Sequence, residues 1–149
     1  MSHPRFRLIA LAIVRRGRLW LVDRRRTADA LAGSWEFPGG KMLAGESAGQ
    51  AAVRECSEEV SIIVEPVRQL DTIEHAYSEF SVRLHPVLCR WVKGEARPAG
   101  ESVAQVRWVD GATLRRLPMP EANRPLVEAL LRLEAGAPGV HGFGKNSPG

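Results

Sequence analysis

Three carboxylates within five residues, Glu55, Glu58 and Glu59, are the side chains of this sequence best placed to do chemistry. In a helix, relative positions 0, +3 and +4 share one face. Like charges at that spacing repel, and each pair destabilises a helix by about 0.2–0.5 kcal/mol. A divalent cation held by oxygen ligands would offset the repulsion. A solvated acidic helix face is the alternative that the triplet alone leaves open.

The residues around the triplet predict a helix over 47–60. Ser47 with Gln50 three residues later has the pattern of a capping box. Apolar residues that can be buried fall on a different face from the acids, and they are Val53, Cys56 and Val60. Before the helix, Pro38-Gly39-Gly40 predicts a turn, because glycine permits backbone conformations that other residues avoid.

A longer pattern contains the triplet: Gly, five residues, Glu, seven residues, then Arg-Glu-x-x-Glu-Glu. The matching residues are Gly40, Glu46, Arg54, Glu55, Glu58 and Glu59. This spacing resembles the Nudix box. Two positions depart from it: Cys56 replaces a bulky aliphatic residue, and Ser61 stands where a glycine usually ends the helix in a left-handed conformation.

The resemblance extends beyond the box over roughly residues 6 to 134. The segments Trp35-Glu36-Phe37-Pro38-Gly39-Gly40-Lys41 and Pro118-Met119-Pro120-Glu121-Ala122-Asn123-Arg124-Pro125 look like those of MutT-type pyrophosphohydrolases. The resemblance implies Mg²⁺-dependent hydrolysis of a nucleoside triphosphate, favouring 8-oxo-dGTP, to the monophosphate and pyrophosphate, with Mn²⁺ able to substitute. This activity would clear oxidised nucleotides and prevent mutation.

Two alternatives to that activity remain. The same chemistry could act on CTP, dCTP or another nucleoside diphosphate derivative. A non-catalytic module that binds oxidised guanine, like the C-terminal domain of adenine glycosylases, is less well supported. Such modules typically lose carboxylates of the box, whereas this sequence has them all.

The resemblance assigns roles to individual residues of the box and of one later loop. The expected metal ligands are Gly40, through its carbonyl, and Glu55, Glu58, Glu59 and Glu101. The expected catalytic residues are Arg54, Glu55, Glu58 and Glu101. Whether Glu55 or Glu101 is the general base stays open. Glu46, which precedes the helix N-terminus and can pair with it, and Lys41 are expected to support the ligands.

Residues outside the box are expected to bind the substrate. The candidates are Arg25, Phe37, Tyr77, Phe80 and Asn123. A solvated strand end is the alternative for Arg25, and core packing is the alternative for the aromatic residues. Asn123 could read a purine edge or only cap the last helix, because it precedes Arg124-Pro125.

Composition is ordinary for a soluble globular protein, with 44% hydrophobic and 26% charged residues among 149. We expect one domain over residues 1–134 and a flexible tail over 135–149. Two cysteines and no long apolar run indicate a cytoplasmic protein without disulfides or a membrane partner. The net charge of +4 suits an anionic nucleotide but does not argue for a stable nucleic-acid partner. A monomer or a homodimer is expected.

The fold class that these features and the resemblance predict is α/β (α+β), an α/β/α sandwich around a mixed central sheet. The expected strands are 6–15, 18–23, 67–75, 80–91 and 103–109. The expected helices are 47–60, 111–116 with Asp110 as cap, and a last helix that has Pro125 in its first turn and ends near Glu134. Loops are expected at 27–34 and 93–100.

Overall fold

The structure is a computed structural model that describes residues 5–26 and 33–136. Its strands are β1 (Phe6–Arg16), β2 (Leu19–Arg25), β3 (Trp35–Glu36), β4 (Gly39–Lys41), β5 (Ile63–Gln69), β6 (Ile73–Ala76), β7 (Ser81–Lys93) and β8 (Val103–Val109). Its α-helices are α1 (Ala48–Glu55), α2 (Gly111–Arg116) and α3 (Arg124–Glu134). A π turn, Cys56–Val60, continues α1, and a 3₁₀ turn, Glu121–Asn123, leads into α3.

The strands form one mixed sheet with the central order β3-β2-β1-β7-β5. β1 and β7 run parallel, and the other pairs are antiparallel. β4 pairs with β1, β6 with β7 and β8 with β2. The mixed sheet and its helices confirm the predicted fold class.

Alternation along β1 divides the core into two layers. Leu11 and Ile13 enter the cluster under α2 and α3, whereas Ala10, Ala12 and Val14 enter the cluster under α1. Successive side chains of a strand point to opposite faces, so one strand serves both layers. We call these faces the α3 face and the α1 face.

Several local predictions are confirmed in detail. Ser47 and Gln50 exchange the two hydrogen bonds of a capping box at the start of α1. Asp110 caps α2 by accepting from the Thr113 N–H at 2.8 Å. Pro125 lies in the first turn of α3, which ends at Glu134 as predicted.

Two predictions about strands were wrong. The single strand expected over 67–75 is two strands, β5 and β6, which both pair with β7. Pairing is irregular between Pro66 and Arg68, since proline has no N–H to donate to the ladder. The turn expected at Pro38-Gly39-Gly40 is reduced to a bend at Pro38, and Gly39 and Gly40 belong to strand β4, where a Cβ on Gly39 would collide with the Ala10 carbonyl oxygen.

The predicted tail over 135–149 lies outside the described residues, except for Ala135 and Gly136, and so does most of the predicted loop over 27–34. Within the described ranges, no helix has the length and apolar character needed to cross a membrane.

Candidate active site

The acidic helix segment has two parts with different surroundings. Glu55, the last residue of α1, is buried, and Glu59 in the π turn is half-buried, whereas the side chain of Glu58 is 60% exposed. The three carboxylates therefore do not share one uniform surface, as a regular α-helix over 47–60 would have given. π turns inside helices are frequent at functional sites.

Glu55 and Glu59 form a carboxyl pair against strand β4. Their side chains share a hydrogen bond, and the Gly39 N–H donates to Glu59. Burial, with the neighbouring Glu55 charge and hydrogen bond, raises the pKa of Glu59 to about 8. A Cβ on Gly40 would lie 2.7 Å from Oε1 of Glu55, so only glycine allows this approach of strand and carboxylate.

The Arg54 side chain donates hydrogen bonds to three glutamates of the box. Its Nε and Nη2 donate to the two oxygens of Glu46 at 2.7 and 3.0 Å. Its Nη1 donates to Glu55 at 2.8 Å and to Glu58 at 3.3 Å, and its Nη2 reaches the Lys41 carbonyl at 3.1 Å. A planar guanidinium that binds several carboxylates at once fixes their orientation.

Glu46 and Lys41 lie beside the box but do not cap α1. Glu46 accepts from Arg54 and from the Leu43 N–H, and these bonds lower its pKa to about 2. Pairing of Glu46 with the helix N-terminus is not what the structure shows, because Ser47 occupies the cap. Lys41 contributes its backbone carbonyl, while the residue is exposed.

Glu101 lies in the turn that precedes β8 and is exposed. The chain just before it is tied to the π turn, because the N–H groups of Ala99 and Gly100 both donate to the Glu59 carbonyl at 2.8 and 3.2 Å. This loop therefore lies next to the acidic segment, as its predicted role requires.

Asp23 is a buried acid that the sequence interpretation missed. It lies opposite Glu36 in the β2–β3 pair, on the same face as Leu21, which packs under α1. Asp23 is 2% exposed, and its Oδ2 has no hydrogen-bond partner within the described part of the chain. Burial, then the charges of Glu36 and Glu59, raises its pKa to about 8 against the opposing effect of Arg25. An isolated acid in the apolar strand Leu19–Arg25 was the available signal.

Arg25, a predicted substrate ligand, lies beside this acid cluster. Its Nε is 3.3 Å from Oε1 of Glu36, and its side chain is 36% exposed. The structure thus places Arg25 next to the carboxylates rather than among the aromatic candidates.

The aromatic candidates lie on the α3 face. Phe37 is 1% exposed and belongs to the core there, which favours its alternative of core packing. Tyr77 and Phe80 are half-buried at the edge of that core, with ring centroids 5.1 Å apart. The Ala122 N–H bonds to the Tyr77 hydroxyl and brings the 3₁₀ turn alongside.

Asn123 is buried and occupies the N-cap position of α3, but its side chain makes no capping hydrogen bond. The backbone N–H of Asn123 donates to the Pro120 carbonyl. The structure therefore gives no support to capping as the role of this amide.

A divalent cation fits the donor set around Gly40. Within residues 5–26 and 33–136, no three acidic, His or Cys side chains are already arranged as a metal cluster. However, Glu55 and Glu59 share a hydrogen bond that needs a proton on one of them, and a bound cation would remove that need. Carboxylate oxygens are the ligands that such hard cations prefer.

The family model of the NUDIX domain matches residues 9–129. With the box in place and the fold described above, the chain belongs to the NUDIX family. Hydrolases of this family generally use divalent metal ions.

Individual relatives cover most of the chain. The 8-oxo-dGTP diphosphatase of Escherichia coli is 35% identical over 127 residues, which are 84% of this chain and 96% of the relative. The CTP pyrophosphohydrolase of Escherichia coli is 33% identical over 88% of this chain and 95% of its own length. The MutT NUDIX hydrolase of Burkholderia pseudomallei superposes with a TM-score of 0.75 at 26% identity, over 83% of this chain and 97% of that one.

Proposed function

We propose that this protein hydrolyses nucleoside triphosphates to the monophosphate and pyrophosphate, with Mg²⁺ as the metal and 8-oxo-dGTP as the favoured substrate. The observation that carries the proposal is the Glu55–Glu59 pair against the glycines of β4, in which Glu55 is buried and bonded to Arg54 and Glu59 is half-buried. The similarity to an 8-oxo-dGTP diphosphatase supports the choice of substrate.

Each residue of the box has a role in this proposal. Glu55, Glu58 and Glu59, with the Gly40 carbonyl and Glu101, would hold the cation. Bound Mg²⁺ would neutralise phosphate oxygens and lower the pKa of a water molecule. Arg54 keeps Glu55 oriented, and Glu46 in turn keeps Arg54 in place. Glu55 or Glu101 would accept the proton of the water that attacks the β-phosphorus.

The nucleoside would lie on the α3 face, where Tyr77, Phe80 and Asn123 are brought together. Asn123 has a buried amide that makes no capping bond, and an amide offers both an acceptor and donors to a purine edge. CTP is the second candidate substrate, because a CTP pyrophosphohydrolase is a relative of similar coverage.

A nucleotide panel tests the proposal. The protein, freed of metal by chelation, is assayed on 8-oxo-dGTP, dGTP, CTP and dCTP with Mg²⁺, with Mn²⁺ or with chelator. We expect metal-dependent release of pyrophosphate, with the highest kcat/KM on 8-oxo-dGTP. In ¹⁸O-water, attack at the β-phosphorus places the label in pyrophosphate. Turnover that survives exhaustive chelation refutes the metal role, and a preference for CTP moves the assignment to the second candidate.

A further inference from the structure

Arg7 stands at the start of β1 on the same face as the aromatic candidates. Ile9, Leu11 and Ile13 pack in the α3-face core, and alternation along the strand places Arg7 on that face as well. Its guanidinium carbon lies 3.9 Å from the centroid of the Phe80 ring. A cation thus covers a ring that was expected to contact the base.

The covered ring belongs to a connected group. Phe80 contacts Tyr77 through the rings, and the Tyr77 N–H donates to the Phe80 carbonyl at 2.7 Å. Tyr77 in turn bonds to the backbone of Ala122, which directly precedes Asn123. Arg7 therefore contacts the aromatic pair directly, through Phe80, and lies on the side of the sheet that carries Asn123.

The guanidinium of Arg7 differs from a similar one on the opposite face. Arg83 lies 4.6 Å from the Phe6 ring centroid, but it also pairs with Glu74 at 2.7 Å. Across the described ranges, Arg7 has no ion pair or hydrogen bond to another side chain. The contact with the Phe80 ring positions the guanidinium and leaves its five N–H donors available.

We propose that Arg7 is a specificity-determining residue that binds the nucleobase through carbonyl acceptors on its edge. This inference rests on the proposed function, because it assumes that the base lies beside Tyr77, Phe80 and Asn123. A guanidinium donates and never accepts, so it favours a purine with a 6-carbonyl group over one with a 6-amino group. Its position on Phe80 also reduces the conformational freedom lost on binding.

The test compares Arg7→Ala with Arg83→Ala, which removes an arginine stacked on a ring outside the site. Binding of dGMP, dIMP and dAMP is measured by calorimetry without metal, and kcat/KM is measured for the three triphosphates with Mg²⁺. For Arg7→Ala, we expect affinity and kcat/KM for the guanine and hypoxanthine nucleotides to fall about ten- to hundredfold. The values for adenine nucleotides should change less than threefold, and Arg83→Ala should leave all of them unchanged.

Arg7→Lys distinguishes the contribution of the guanidinium donors from that of the positive charge. It keeps the cation but loses the planar fork, so it should lose most of the preference for the 6-carbonyl purines. Equal losses on all three nucleotides would mean that Arg7 meets the phosphates and would overturn the inference, as would unchanged binding by Arg7→Ala. Wild-type protein that binds dGMP no better than dAMP would also overturn it. Absent hydrolysis by the wild type refutes the proposed function instead, since the binding comparison needs no turnover.

Discussion

Replacing Asp23 by asparagine should make the metal-free protein more stable, and the gain should grow with pH. The native pKa of Asp23 is about 8 against 3.8 for an ordinary aspartate, chiefly because of burial. Between these values the native state holds a proton that the unfolded state has lost. Stability therefore falls as pH rises through this window, by about 1.4 kcal/mol per pH unit. Asparagine cannot ionise, so Asp23→Asn removes this loss.

The magnitude follows from the two pKa values. From pH 5 to pH 8, with the slope flattening near the native pKa, the wild type should lose about 3.5 kcal/mol through Asp23. Glu59, whose pKa is also raised to about 8, adds a slope of the same sign in both proteins. Asp23→Asn also reduces that slope, because it removes a neighbouring charge that opposes ionisation of Glu59, so the two effects widen the difference in the same direction. The free energy of unfolding is measured by urea denaturation at pH 5, 6, 7 and 8 with chelator present.

Asp71→Asn is the matched control, because it removes the same charge from an exposed position. The difference between Asp23→Asn and wild type should widen steadily with pH, while that between Asp71→Asn and wild type should stay nearly constant. Parallel curves for all three proteins would refute the placement of Asp23 as a buried acid beside Glu36 and Glu59.

Three further substitutions test other parts of the site. Glu58→Gln should lower kcat about a hundredfold or more, whereas Glu65→Gln, which alters an equally exposed glutamate in an ion pair, should leave steady-state turnover unchanged. Asn123→Ala should lower kcat/KM for 8-oxo-dGTP about 10- to 100-fold more than for dGTP, with the melting temperature nearly unchanged because no capping bond is lost; equal losses on both would exclude base recognition. Ser61→Gly should stabilise the protein by about 0.5–1 kcal/mol in urea denaturation, because Ser61 has a left-handed φ of 61°, and a loss of stability would contradict this strain.

Local interactions made parts of the fold predictable. The capping box of Ser47 and Gln50 and the Asp110 cap each depend on residues within a few positions of one another. Such patterns can be recognised from the spacing of residues in the sequence. The π turn was not predicted, because the residues of Cys56–Val60 favour an ordinary helix and the wider turn accompanies packing against the rest of the chain.

Pairing between segments that are distant in the chain was harder to predict from the sequence. Gly39 and Gly40 indicate a turn when the local sequence is considered alone. They form a strand because β4 pairs with β1, and the backbone of β1 comes so close to Gly39 that a side chain there would collide with it. The pairing of Asp23 with Glu36 joins positions whose partnership depends on the register of β2 and β3. A one-residue change of register would move Asp23 to the other face, so no local pattern could establish its neighbours.

The carboxylates of the site differ in what they require from their surroundings. Glu58 is exposed and paired with Arg54, so its charge costs little without a cation. Glu59 and Asp23 are held where burial and neighbouring acids oppose ionisation, and both have a pKa raised to about 8. A bound cation would stabilise a site whose acids are held in this way, because the cation would favour their charged forms. Glu59, which the spacing of the box identifies, and Asp23, which only the pairing of β2 and β3 brings beside it, therefore interact electrostatically and belong to one site.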